Sequence, residues 1–96
     1  MVLSNYTEKI ERPVRAIYLD DERTFWVGTK GNGILKIYDY EFDKNISDCR
    51  AEVLTTSNSA LSSNAVYCFA KSHRNLLWIG DEEGLTYYSY REKRIK

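Results

Sequence analysis

Proline and histidine occur once each in this sequence, cysteine twice and glycine five times among 96 residues, and neither sign of charge prevails, with 14 Lys and Arg against 14 Asp and Glu. Each scarcity excludes something. The single histidine, His73, falls in a polar turn segment, whereas zinc sites, general-base schemes and nucleophilic triads require a histidine with partners in fixed places. The two cysteines, Cys49 and Cys68, are too few for a disulfide framework and lack metal-ligand spacing. Cys68, inside the apolar run 65–70, is expected to be a small buried hydrophobe, and Cys49, between Asp48 and Arg50, a partly exposed thiol. Zero net charge removes the electrostatic footprint that binding to nucleic acid or an anionic membrane requires. The only basic concentration is Arg91, Lys93, Arg94 and Lys96. No apolar run approaches the roughly 20 residues of a membrane span, and residues 2–20 lack the apolar core of a signal peptide. A chain this short buries only about 60 to 65% of its unfolded surface. A deep cleft roofed by its own residues would leave little core, so the reading is of one small non-catalytic domain.

What the chain has is aromatics, eight Tyr and two Trp among them, and they fall in a pattern written twice. Val14 recurs as Val66, Ala16 as Cys68, Ile17 as Phe69, Trp26 as Trp78, Val27 as Ile79 and Gly28 as Gly80, all 52 residues on. Past the second glycine one residue is lost: Gly33 matches Gly84, Tyr38 matches Tyr87 or Tyr88, and Tyr40 matches Tyr90. A residue inserted in a turn accounts for the slip.

Each copy reads as short strands divided by turns. Alternating apolar residues predict strands at 14–19, 25–29, 34–40 and 51–56 in the first copy. In the second they predict strands at 65–70, 76–80 and 85–90, with a fourth beginning near Ile95 and cut short. Gly31, Asn32 and Gly33 supply a hairpin loop, since left-handed backbone is cheap for Gly and Asn. The segment also lacks the lysine and following helix of a phosphate loop, and no cofactor is expected. Sustained 3.6-residue apolar spacing is absent, which excludes helical solenoids. Val2, Leu3 and Ser4 echo Val53, Leu54 and Thr55. The expected division is therefore the end of a preceding unit at 1–10, a first repeat at 11–57 and a second at 58–96. Four antiparallel strands per 40 to 50 residues is the signature of β-propeller blades. The expected fold is all-β, about two four-stranded antiparallel blades, a fragment of a larger propeller or blades that complete a ring by self-association.

These residues resemble the two-component regulator propeller repeats. That family's repeat opens on Leu-Ser-x-Asn-x-Val and continues through an acidic turn, a Leu-Trp-Ile-Gly-Thr strand, Gly-Leu and a Tyr-Asp pair. Leu61, Ser62, Asn64, Val66, Leu77, Trp78, Ile79, Gly80, Gly84, Leu85 and Tyr88 follow it, as do Val14, Trp26, Val27, Gly28, Thr29, Gly33, Tyr38 and Asp39. The departures are residues 10–13, which replace the opening in the first copy, Asp81 in place of the threonine, and the long stretch 41–50. The resemblance implies the periplasmic sensor region of a hybrid two-component system of the Bacteroidetes type, which detects breakdown products of complex polysaccharides and signals to a histidine kinase elsewhere in a longer protein.

The structural repeat residues are thus Trp26, Gly28, Gly33, Trp78, Gly80 and Gly84, with both tryptophans expected to fill space between blades. The acidic groups Asp20, Asp21, Glu22 and Asp81, Glu82, Glu83 are read as solvated turns, lacking the ligand spacing of a calcium loop. Tyrosines sharing a face, such as Tyr88 with Tyr90, are expected to pack blade on blade. Tyr67 is the candidate for a ligand, because the first strand of a blade lines the propeller channel. Two blades cannot close a ring of about four to eight, so copies are expected to associate, three or four supplying six or eight blades. The alternative function is a structural or protein-interaction module with no small-molecule ligand. The sequons at Asn5 and Asn45 are too common by chance to carry weight.

Overall fold

The computed structural model describes residues 13–39, 49–72 and 75–96. Tyr40, His73, both sequons and the proposed preceding unit at 1–10 lie outside the described residues. The described chain is all-β. Strands β1 (Val14–Leu19), β2 (Phe25–Thr29), β3 (Ile34–Ile37) and β4 (Ala51–Leu54) form one antiparallel sheet in chain order. Strands β5 (Val66–Ser72), β6 (Leu76–Asp81), β7 (Gly84–Ser89) and β8 (Arg94–Ile95) form a second of the same topology.

The repeat extends to backbone detail. The turn after the first strand of each sheet carries a residue in the left-handed region, Arg23 (φ 61°) and Asn75 (φ 61°), at matching positions. Both first strands shift register at matching points, between Val14 and Ala16 and between Val66 and Cys68. The inserted turn residue is also real, since Gly28 pairs with Ile34 whereas Gly80 pairs with Leu85. Gly33 needs its glycine: at φ +79°, a Cβ would stand 2.1 Å from the Leu54 carbonyl oxygen.

Strand registers correct the third-strand alignment. Lys36 lies opposite Trp26 and Tyr87 opposite Trp78. Lys36 therefore corresponds to Tyr87, Ile37 to Tyr88, and Tyr38 to Ser89 rather than to a tyrosine. Strand ends also differ from expectation. β3 stops at Ile37, before Asp39 turns left-handed (φ 56°). β4 stops at Leu54, because Asn58 accepts from the Thr55 N–H and donates to the Val53 carbonyl, both at 2.8 Å. The fourth strand of the second sheet is present as a two-residue pairing, Ile95 with Tyr88 and Arg94 with Ser89.

The sheets pack face to face with β1 and β2 against β5, joined by a bridge between Lys30 and Ala65 and by a 2.8 Å bond from the Gly33 N–H to the Asn64 carbonyl. Period-2 alternation sends Tyr18, Trp26, Ile34, Lys36 and Leu54 to this junction from the first sheet. The second contributes Val66, Phe69, Leu77, Ile79, Tyr88 and Ile95, and Leu61 joins from the connection. Each full apolar burial here stabilises by roughly 1.5–3 kcal/mol. Gly28 sets the approach: a Cβ there would stand 2.8 Å from Val66 Cγ1. A second cluster of Val27, Leu35, Ile37 and Cys49 occupies the opposite side of the first sheet.

The cysteine expectations are reversed. Cys49 is buried in that second cluster, and Cys68 is exposed. A strand in an apolar run still has two sides, and Cys68, opposite Gly80, points away from the junction.

Candidate functional site

The strongest concentration of polar chemistry lies where the sheets meet. Asp20 was expected in solvent, yet only 5% of it is exposed. Its Oδ1 accepts the Glu22 and Thr24 N–H groups at 2.8 and 2.9 Å, which close the turn after β1. Its Oδ2 accepts Trp26 Nε1 at 2.9 Å and the Tyr90 hydroxyl at 2.8 Å, the latter from the other sheet. Asp81, also expected in solvent, is buried. It accepts the Ser62 hydroxyl at 2.6 Å and the Ser63 N–H at 3.2 Å through Oδ2, and the Glu83 N–H at 2.9 Å through Oδ1. Buried carboxylates persist where their oxygens are bonded. The other members of the two triplets, Asp21, Glu22, Glu82 and Glu83, are exposed as expected.

Beside Asp20 lies Lys36, which sequence reasoning passed over as an ordinary strand residue. It is 4% exposed, and its ammonium sits 4.6 Å from the Trp26 ring centroid, 4.6 Å from that of Tyr38 and 4.4 Å from that of Tyr88. Its hydrogen bond to the Tyr88 hydroxyl is long, at 3.4 Å. Burial pushes its pKa below the usual lysine value, against the opposing pull of Glu52, Asp20 and Glu22. The Tyr38 hydroxyl donates to Glu52, and burial together with that bond raises its pKa. The same two causes, with Asp20 as acceptor, raise that of Tyr90. Burial also raises that of Tyr88. Lys36, Tyr38, Arg50, Glu52, Tyr88 and Tyr90 are among the residues around a cleft of about 1030 Å³ between the sheets. The only sequence signal for this cleft was one lysine in an apolar, β-prone strand.

Tyr67 stands elsewhere. It is 44% exposed, with the Arg15 guanidinium 4.5 Å from its ring centroid. Arg15 and Tyr67 occupy the same repeat position, each beside the register shift of a first strand. Of the repeat residues, Trp26 is fully buried and contacts Phe69, Tyr88 and Tyr90 of the second sheet, with ring centroids at 6.2, 4.7 and 6.5 Å. Trp78 is half-buried and lies on the outer side of the second sheet, its ring 5.3 Å from that of Tyr87. Gly28 lies within the junction, Gly33 and Gly84 follow the two hairpin turns, and Gly80 sits beside Cys68. Tyr88 and Tyr90 pack edge to face at 5.1 Å within the junction between the sheets, whereas Tyr87 lies with Trp78 on the outer side.

Among the described residues no group of three or more His, Cys, Asp and Glu is arranged to hold a metal, and no helix is long and apolar enough to cross a membrane. No protein-family model matches the chain, and no curated protein does either.

Proposed function

We propose that the two sheets are adjacent blades of a β-propeller and that the chain is a non-catalytic binding segment of a sensor domain, with oligosaccharides as the ligand class. On this reading it belongs to the periplasmic sensor region of a hybrid two-component signalling protein, and a conformational signal passes to a kinase outside these residues. The observation that carries the binding role is the Arg15–Tyr67 pair. First strands are the inner strands of propeller blades, and here both present a planar group at the same shifted position, stacked on each other and partly open to solvent. An aromatic face and a guanidinium are what a sugar ring and its hydroxyl groups require, apolar contact on one side and fixed donors on the other.

Titration of the chain with neutral and acidic oligosaccharides, followed by amide chemical shifts, tests this. Saturable shifts centred on residues 15 and 67 that vanish in Tyr67→Ala are expected. No shifts with any sugar would discard the ligand reading and leave the second one. That second reading, a structural or protein-interaction module, is favoured by the apolar outer side of the second sheet, where Leu85 is 65% exposed.

A further inference from the structure

Two cations of the cleft between the sheets lack an anion. The buried Lys36 ammonium carries three N–H donors. Among the described residues they meet one hydrogen-bond acceptor, the Tyr88 hydroxyl at 3.4 Å, and the faces of three rings. No described carboxylate forms an ion pair with it. Arg50 stacks on the same Tyr38 ring, its guanidinium 4.4 Å from the centroid, and its donors likewise meet no described carboxylate. Each cation makes the other's charge harder to hold, and Arg50 adds to the burial that lowers the Lys36 pKa. The acids around the cleft do not relieve this. Asp20 already accepts four donors, Glu52 accepts the Tyr38 hydroxyl, and Glu22 and Asp39 are exposed. By contrast Lys71 is paired with Asp21, and Arg94 and Lys96 with Glu92.

We propose that this cleft binds an organic carboxylate, held by Lys36 at its buried end and by Arg50 at its exposed end. A buried charge without a counter-ion is costly, and an oxyanion that reaches Lys36 removes that cost. The two cations are suited to one carboxylate, since Arg50 offers a planar fork of donors and Lys36 a compact point charge. The cleft volume of about 1030 Å³ is comparable with the upper limit of the roughly 300–1,000 Å³ usual for small-molecule sites. It therefore admits a molecule with a body and not an ion alone. The half-buried rings of Tyr38 and Tyr90 line the cleft and give that body apolar faces. A single negative charge fits better than two, because Asp20, Glu22 and Glu52 also line the cleft and repel a dianion more strongly. Arg15 and Tyr67 do not line it, so this site is separate from the one proposed for sugars.

Titration of the 96-residue chain with sodium propionate and sodium galacturonate tests this, with sodium chloride and sodium sulfate as comparisons at matched ionic strength. Carbon-13 labels on lysine and tyrosine report the Lys36 methylene signals and the rings of Tyr38 and Tyr88. The expected result is saturable shifts at these three residues with a carboxylate and none with chloride. Tighter binding of propionate points to a simple organic acid, and tighter binding of galacturonate to a sugar acid. Lys36→Met and Arg50→Gln are each expected to weaken binding roughly tenfold, as loss of a charged hydrogen bond does. Arg50 is exposed, so Arg50→Gln keeps the test open if Lys36→Met unfolds, and thermal melts check both. No saturable shift with either acid overturns the proposal, as does binding that Arg50→Gln leaves unchanged. A response to sulfate as strong as to the carboxylates also overturns it, since charge alone would then be read. Tyr67→Ala is expected to leave the shifts intact, so failure of the sugar site does not touch this one, and shifts lost in Tyr67→Ala count against the cleft.

Discussion

The Tyr90 hydroxyl and the Trp26 indole N–H converge on one oxygen, Asp20 Oδ2, at 2.8 and 2.9 Å. Asp20 and Trp26 belong to the first sheet, and Tyr90 directly follows the third strand of the second. The carboxylate therefore closes its own turn with one oxygen and ties the sheets together with the other. Replacing it with alanine removes the acceptor of four donors, the Glu22 and Thr24 N–H groups, Trp26 Nε1 and the Tyr90 hydroxyl, of which those left buried and unpaired cost ~1–3 kcal/mol each. Asp20→Ala is expected to lower unfolding stability by about 2–4 kcal/mol, and Tyr90→Phe by ~1 kcal/mol. Urea titration followed by far-ultraviolet circular dichroism reads both. Equal losses from the two changes would show that the carboxylate has no role beyond the Tyr90 bond.

Gly28 tests how closely the sheets must approach. An alanine Cβ would stand 2.8 Å from Val66 Cγ1 and 3.3 Å from Phe69 Cε2. Gly28→Ala is expected to destabilise by about 1–3 kcal/mol through overpacking. Val66→Ala in the same chain should return part of that loss, although alone it opens a cavity. A double-mutant cycle reads the coupling, and strictly additive changes would contradict the contact.

High pH should act through the tyrosines of the junction. Tyr38, Tyr88 and Tyr90 all have pKa values raised above the ordinary 10.0 in the fold, chiefly by burial. Their contribution is complete below pH 10.0 and is lost as pH rises above it, because the unfolded chain ionises first. Lys36 has the opposite sign: its pKa lies below 10.5 in the fold, so its contribution grows as pH climbs toward that value. Three phenols against one amine give net alkaline unfolding. The transition, followed by tyrosinate absorbance, should become shallower in Tyr90→Phe, and an unchanged profile would count against the Tyr90 placement.

Lys36 itself is held mainly by rings. Lys36→Met keeps most of the side-chain volume and removes the need to bury a charge, so stability at neutral pH is expected to change by less than about 1.5 kcal/mol. Lys36→Ala, which empties the space between Trp26, Tyr38 and Tyr88, should cost about 2–4 kcal/mol. Thermal melts of the pair give the comparison, and equal losses would show that the charge rather than the packing matters.

The ion pair between Lys71 and Asp21 spans the sheets at 2.7 Å, yet 84% of the Asp21 side chain is in solvent. Asp21→Asn is expected to shift stability by no more than ~1 kcal/mol and less still in high salt. Chemical denaturation at low and high ionic strength checks both parts.

The sequence by itself determined the order and approximate place of the strands and their duplication, although not where β3 and β4 end. Alternating apolar residues fix strands through a two-residue period that needs no knowledge of neighbours, and β1 (Val14–Leu19) and β2 (Phe25–Thr29) fall where that period puts them. The inserted hairpin residue, the turns and the matched tryptophans were legible for the same local reason. Tertiary structure decided which side of each strand is covered. Trp26 and Trp78 are equivalent in sequence, but the first has a sheet laid against it and the second does not. Cys49 and Cys68 exchanged their expected environments because burial depends on what lies across a sheet, not on the polarity of adjacent residues. The buried Asp20 and the ring-held Lys36 were illegible for a related reason. Their partners Tyr90 and Tyr88 lie 70 and 52 residues away, and only the stacking of one sheet on the other brings those groups within bonding distance.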